Sequence, residues 1–409
     1  MKKRVLIITE HFAPENTVLA VRPTKTAKYL TRAGFAVTVL TAPPLGAKDP
    51  TLNRDLSECG RVLRVRGTEK STQGGLFSRL ALFFRSLFFR PSFYRACVSY
   101  VEHAHLDLSQ FDVILSAYAT ASAHRAAYYL KKKCPTLRWI ADFRAPASPS
   151  LSKFLRARER RLTARLLSRA DLVSAAGEGT LKSWLAGVRG VPGVCIPNGF
   201  DPEDLPALPE NKSEKPFTVL LSGAVKPGER DLFLVLEAAE LLLKSGRIRR
   251  DQIRLDYYGD QGAPLQARID EMEFAPHFYL HGKVTKQELF AARSEAQVIA
   301  VSAWESTLYP APVPERFFEL LPLSKPILAV VSGDRKNTEF ARLIRTLRLG
   351  CVYESASDES LTEVCRFLAE SYTYWRTRFR ELYEPDEKKC RMYDYSVLAR
   401  RWAQIMEEI

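Results

Sequence analysis

A carboxylate placed beside the end of a buried strand can accept hydrogen bonds from two vicinal hydroxyls, as a ribose presents them. The stretch PERFFELLPLSKPILAVV, residues 314–331, supplies one in Glu319. Glu319 falls in a short helical pattern with Phe317, Phe318, Leu320 and Leu321, followed by a turn at Ser324-Lys325-Pro326. The apolar run Ile327 to Val331 then reads as a buried parallel strand. In α/β proteins ligands bind in the crevice at the strand ends, so the position is chemically useful. The same spacing also suits an exposed helix carboxylate. SGAVKPGERD offers a second group: a turn opening at Gly223, between a strand and a helix, that carries Lys226 and Arg230. Backbone N–H groups at a helix start, joined by a guanidinium, suit a diphosphate. Two solvated loop cations would read alike. A third group is His124, on an Ala-rich helix after the strand Val113–Ser116, with Asp142 and Arg144 after the strand Arg138–Ala141. His124 is placed either to hydrogen-bond a hydroxyl or to pack in a core. Asp142 and Arg144 are placed either to meet a ligand or to pair with each other.

The elements that must position these groups follow one rhythm. In the first half, strands are expected at Arg4–Thr9, Ala36–Leu40, Val113–Ser116, Arg138–Ala141 and Leu172–Ala175. Helices are expected at Arg22–Ala33, where Gly34 serves as the stop, at Ala121–Lys133, and as a long basic helix near Lys153–Arg169. Pro197-Asn198-Gly199 marks a turn, and the Pro-rich span Pro202 to Pro216 reads as a linker. The rhythm restarts with strand Phe217–Leu221, helix Leu232–Leu243, and strands Ile253–Tyr258 and Val298–Val301. Alternation of this kind means doubly wound parallel sheets, one in each half. Domains are expected at 1–200 and 201–385, with an amphipathic helix within 386–409 docking back on the first.

At 409 residues, the chain suits two domains that each bury a core. Its seven Cys show no CxxC spacing, which points to reduced thiols rather than a disulfide frame or zinc site. The opening apolar run Val5 to Ile8 is too short for a signal peptide or anchor, so a cytoplasmic location is expected. The net charge of +14 is unevenly spread. Residues 1–200 hold 32 Lys and Arg against 13 Asp and Glu, whereas residues 201–409 hold 29 against 34. A first half so basic is expected to face an anionic surface or substrate.

The membrane is the favoured surface, because Leu76 to Arg90 reads as a basic amphipathic helix. Leu76, Phe77, Leu80, Phe83, Phe84, Leu87 and Phe88 share one arc, opposed by Arg79, Ser86 and Arg90. On this reading Phe84 and Phe88 insert, and Arg79 and Arg90 meet anionic headgroups. A helix packed in the interior would share many of these features. Nucleic acid is not expected as a partner, since no RRM, KH or zinc-finger text occurs and the aromatics lie on an apolar face.

Several stretches together resemble the GT-B glycosyltransferases of the family-4 type. The Glu319 segment is similar to the family's "FEYLAAGKPILA" text, and SAHRAAYYLKKK then WIADFR is similar to "SAHLAALLLKRR" then "WIADFRDPW". RVLIITEHFAPE with its following helix resembles the family's first strand and loop, and IPNGFD the end of its first domain. The resemblance covers nearly the whole chain. It implies two Rossmann-like domains facing across a cleft, with Glu319 on the donor ribose. His124, Asp142 and Arg144 take active-site positions by the same likeness. Gly223, Lys226 and Arg230 align with the diphosphate turn, and Gly282, Lys283 and Val284 with the loop against the nucleotide base. Three departures stand out: Ala224 replaces the family's Arg after the Gly, and Ala145 and Ala311 replace acidic residues.

The implied activity is retaining transfer of a sugar from a nucleotide sugar, foremost a UDP-sugar, to a glycan or lipid-linked acceptor. No metal and no cofactor is expected, the nucleotide sugar being a substrate, and no DxD-like cluster is seen. Two rivals stay open. A GT-B nucleotide-sugar epimerase would need further acid/base carboxylates, and a non-catalytic GT-B scaffold would account for Ala145 and Ala311.

Overall fold

The computed structural model describes residues 3–66, 91–103, 106–147, 152–205, 216–223, 225–226, 232–357 and 360–409. The expected helix at Leu76 to Arg90, with Arg79, Phe84, Phe88 and Arg90, lies outside the described residues, as does Arg230. The chain forms two units, Met1–Gly199 with Tyr393–Ile409, and Phe200–Met392.

The first unit is a parallel sheet of strands β1 (Arg4–Thr9), β2 (Ala36–Thr41), β3 (Arg61–Arg64), β4 (Val113–Tyr118), β5 (Arg138–Phe143), β6 (Leu172–Ala175) and β7 (Gly193–Cys195). Its spatial order is β3-β2-β1-β4-β5-β6-β7, so chain direction across the sheet reverses between β1 and β4. Side chains alternate across a strand, and β1 feeds both faces: Leu6 and Ile8 enter one core, Val5 and Ile7 the other. Double coverage explains why these strands read as continuous apolar runs. The helix Tyr395–Glu408, capped by Asp394, packs Leu398, Trp402 and Met406 beside Val5 and Ile7.

The helix Val18–Arg32 begins four residues before the expected Arg22, because Thr17 caps it and Pro23 is taken up inside it. Proline removes one backbone donor from a helix interior, and here the buried pairs of Arg22 with Asp142 and of Lys25 and Lys28 with Asp55 tie the helix to its neighbours. Gly34 follows the helix with φ of 90°.

The second unit is a parallel sheet of β8 (Phe217–Ser222), β9 (Ile253–Tyr258), β10 (His277–Gly282), β11 (Val298–Glu305), β12 (Ile327–Gly333) and β13 (Gly350–Glu354). The order β10-β9-β8-β11-β12-β13 reverses between β8 and β11. Its core joins Val219, Leu221, Leu255 and Val330 of the sheet to Leu236 and Ala239 of the helix Phe233–Lys244, and to Trp375 of the helix Leu361–Arg378. Each unit therefore has a switch point where strand ends diverge, the usual place for a ligand crevice.

Candidate functional site

In the second unit the site grows from the end of β8. After Ser222 the chain turns at Gly223, whose φ of 112° favours glycine. The Tyr257 hydroxyl, from the end of neighbouring β9, donates to the Gly223 carbonyl at 2.6 Å and fixes the turn. Arg316 stands over it: its Nη1 is 3.8 Å from where a Cβ on Gly223 would lie. Lys226, farther along the same turn, is exposed.

β10 ends at Gly282, and Gly282, Lys283 and Val284 lead into the helix Lys286–Glu295. Thr285 and Glu288 close a capping box at its start, which sets the helix direction. Near its far end the helix delivers Arg293. This guanidinium, its side chain only 5% exposed, donates to Glu319 Oε2 at 3.3 Å and to Ser222 Oγ at 3.4 Å. Its buried Nε has no hydrogen-bond partner among the described residues. Burial lowers the Arg293 pKa, Glu319 opposes that shift, and Arg316 adds to it.

Glu319 does not lie within the helical turn Glu315–Phe318 but caps its C-terminal end, where Phe317 and Phe318 are buried. Its side chain is 51% exposed. Only one carboxylate oxygen meets Arg293, so lone pairs stay available for hydroxyl donors. Glu319 and the Gly223 turn are thus joined through Arg293, and Arg316 covers the turn. Neither arginine was singled out in the sequence. The signal available for Arg316 was its place two residues after Pro314, within the Glu319 segment. Arg293 had none.

In the first unit Glu10 follows β1 at the switch point and is buried. Its Oε1 accepts the Thr120 backbone N–H at 3.1 Å and the Thr120 hydroxyl. Thr120 in turn caps the helix Ala121–Lys133 that carries His124. Glu10 also escaped the sequence reading, although its place at the end of the first strand was a usable signal.

His124 is fully buried, with Nδ1 against Ser116 Oγ at 2.7 Å and Nε2 without a hydrogen-bond partner among the described residues. Phe143 meets its ring edge-on at 4.6 Å between centroids, and Tyr118 lies 5.3 Å away. No atom of the ring reaches solvent in this conformation. Burial pulls the imidazole down to about 3. Below an ordinary unfolded value of ~6.5, the unfolded chain takes up a proton that the folded chain refuses. His124 should therefore cost no stability above about pH 6.5 and progressively more as the pH falls toward 3. Melting curves of wild type and His124→Phe should shift in the variant's favour between about pH 7 and 5. A gap independent of pH would mean that the folded ring is hydrated.

Asp142 does not pair with Arg144. Arg22 grips it with two hydrogen bonds, Nε to Oδ2 at 2.8 Å and Nη2 to Oδ1 at 2.9 Å, and Ser174 Oγ donates at 2.8 Å. Arg22 also donates to the Pro197 carbonyl at 2.9 Å and lies 5.8 Å over the Trp402 ring. Burial works against the Arg22 charge, and Asp142 more than offsets it, so its pKa is raised. Arg144 is half-buried at the end of β5, and the Ala145 carbonyl accepts from Trp184 Nε1 at 2.9 Å. Among the described residues, no helix is long and apolar enough to cross a membrane.

No protein-family profile and no curated relative matches the chain. Solved structures do. HepE of Anabaena, in complex with UDP and glucose, has a TM-score of 0.63 at 14% identity, covering 100% of both chains. An E. coli trehalose-6-phosphate protein bound with UDP-2-fluoro glucose has a TM-score of 0.59 at 12% identity, covering 99% of each. WaaG, a glycosyltransferase involved in lipopolysaccharide biosynthesis, has a TM-score of 0.53 at 13% identity, covering 98% of this chain and 95% of its own. At such identities the likeness is one of fold. Two parallel sheets with alternating helices, aligned over whole chains to these proteins, give this chain the GT-B fold of paired Rossmann-like domains.

Proposed function

We propose that the protein is a retaining glycosyltransferase that takes a UDP-sugar as donor and a glycan or lipid-linked molecule as acceptor. The observation that carries this reading is the assembly of Glu319, Arg293, the Ser222-Gly223 turn and Arg316 at the β8 switch point of the second unit. It offers a carboxylate for the ribose hydroxyls and cations for a diphosphate within one small region. HepE and the E. coli protein, alike in fold, were solved with UDP or a UDP-sugar, which supports the choice of nucleotide.

In the reaction the bond between the anomeric carbon and the diphosphate oxygen breaks, and the acceptor oxygen bonds to that carbon. The acceptor proton passes to the departing phosphate. Charge develops on the diphosphate as it leaves, so Arg316, Lys226 and Arg230 would contribute most by stabilising it, without a metal. Gly282, Lys283 and Val284 would border the base. The first unit would receive the acceptor at its own switch point, where Glu10 and Thr120 meet. His124, sealed beneath, would hold Tyr118 and Phe143 in place, while Arg144 at the β5 end is assigned to the acceptor side. We place the enzyme in the cytoplasm, peripheral on the inner membrane face.

Glu319→Ala tests the donor site. By calorimetry, UDP-sugar affinity should fall by ~1.5–3 kcal/mol, the range for hydrogen bonds to a charged group. Unchanged affinity in a folded variant would sink the assignment. Wild-type affinity for the donor with neither hydrolysis nor transfer would favour the scaffold reading instead.

A further inference from the structure

The helix Lys153–Leu167 is capped by Ser152 and buries Glu159, Thr163 and Leu167 against the first unit. At about 100° per residue, Phe154, Arg158, Arg161, Leu162 and Arg165 fall on the opposite side, within an arc of roughly 100°. All five are exposed, Phe154 at 75% and Leu162 at 40%. The helix contains one acid, Glu159, and it is turned inward to accept the Tyr118 hydroxyl. The guanidinium groups of Arg158, Arg161 and Arg165 make no hydrogen bond or ion pair among the described residues. Arg169, just past the helix end, extends the same exposed cationic strip.

A phenyl ring left mostly in water, on a helix face whose guanidinium groups have no partner among the described residues, fits one kind of surface well. The headgroup layer of an anionic bilayer takes up aromatic and aliphatic side chains and offers phosphates to arginine. A nucleic acid would instead call for several stacking rings, and this face holds one.

We infer that the exposed face of Lys153–Leu167 docks on an anionic lipid bilayer, with Phe154 and Leu162 entering the headgroup layer and Arg158, Arg161 and Arg165 binding lipid phosphates. The inference rests on the membrane-peripheral reading above and adds to it a surface apart from Leu76 to Arg90. The helix then holds the first unit against the source of a lipid-linked acceptor.

The test is co-sedimentation of the full chain with phosphatidylcholine vesicles, with and without phosphatidylglycerol, at low and high salt. The wild type should bind the anionic vesicles and lose binding as salt rises. Arg158→Gln/Arg161→Gln/Arg165→Gln should lower the partition coefficient by about tenfold or more, and Phe154→Ser/Leu162→Ser by several-fold. These positions are exposed, so melting temperature and UDP affinity should hold in both variants. If both bind like wild type while Phe84→Ser/Phe88→Ser loses binding, the surface is overturned and the peripheral reading stands. If the wild type ignores anionic vesicles altogether, both fall, and UDP calorimetry still judges the donor site separately. Preference for a single-stranded oligonucleotide over anionic vesicles would likewise overturn the proposal.

Discussion

Asp142→Ala should destabilise the first unit by about 3–5 kcal/mol, the usual cost of removing one partner from a buried ion pair. Arg22 would be left with its charge buried and its two carboxylate bonds gone. The damage should spread, because the same guanidinium ties the first helix to the Pro197 carbonyl and packs over Trp402 of the C-terminal helix. Urea unfolding of the whole chain should show an early transition in the variant. Arg22→Met/Asp142→Leu should recover much of the loss, since well-packed apolar pairs often replace buried ion pairs at little cost. The family resemblance gives Asp142 an active-site position, and the experiment separates the two roles. Full stability with abolished transfer would make Asp142 a group that meets substrate, and Arg22 its holder.

Arg316→Ala should slow sugar transfer by about 10²–10³-fold, as loss of one charge-stabilising donor commonly does. Ala224 stands where the family text carries an arginine, so the diphosphate turn lacks that cation in sequence. Arg316 restores it in space, its guanidinium lying over Gly223 from the helical turn Glu315–Phe318. The rate constant should fall further than donor affinity, and Arg316→Lys should regain part of it through charge alone. Assays run in EDTA should leave the wild-type rate unchanged on this reading. A variant within a few-fold of wild type would return Arg316 to the solvated surface.

What local pattern determined was the interior of each sheet. Strands β1, β2, β4, β5 and β6 of the first unit and β8, β9, β11 and β12 of the second are legible as largely apolar runs between helices, because a strand covered on both faces is mostly apolar. The four strands missed in the sequence, β3, β7, β10 and β13, are the edges of the two sheets. β3, β7 and β10 hold only exposed and half-buried residues, and β13 buries just Val352 and Glu354, so none presents an apolar run to read. Glu319 stands out in the sequence because a carboxylate beside a Pro-bracketed turn and a buried strand is a local feature. What only the tertiary structure decided was partnership. Asp142 meets Arg22 across 120 residues, and Glu319 meets Arg293 across 26. His124 turns inward among aromatics contributed by separate strands. Periodicity reports how much of a residue is buried, but the identity of its neighbour is set by how distant segments pack, and no local spacing carries that.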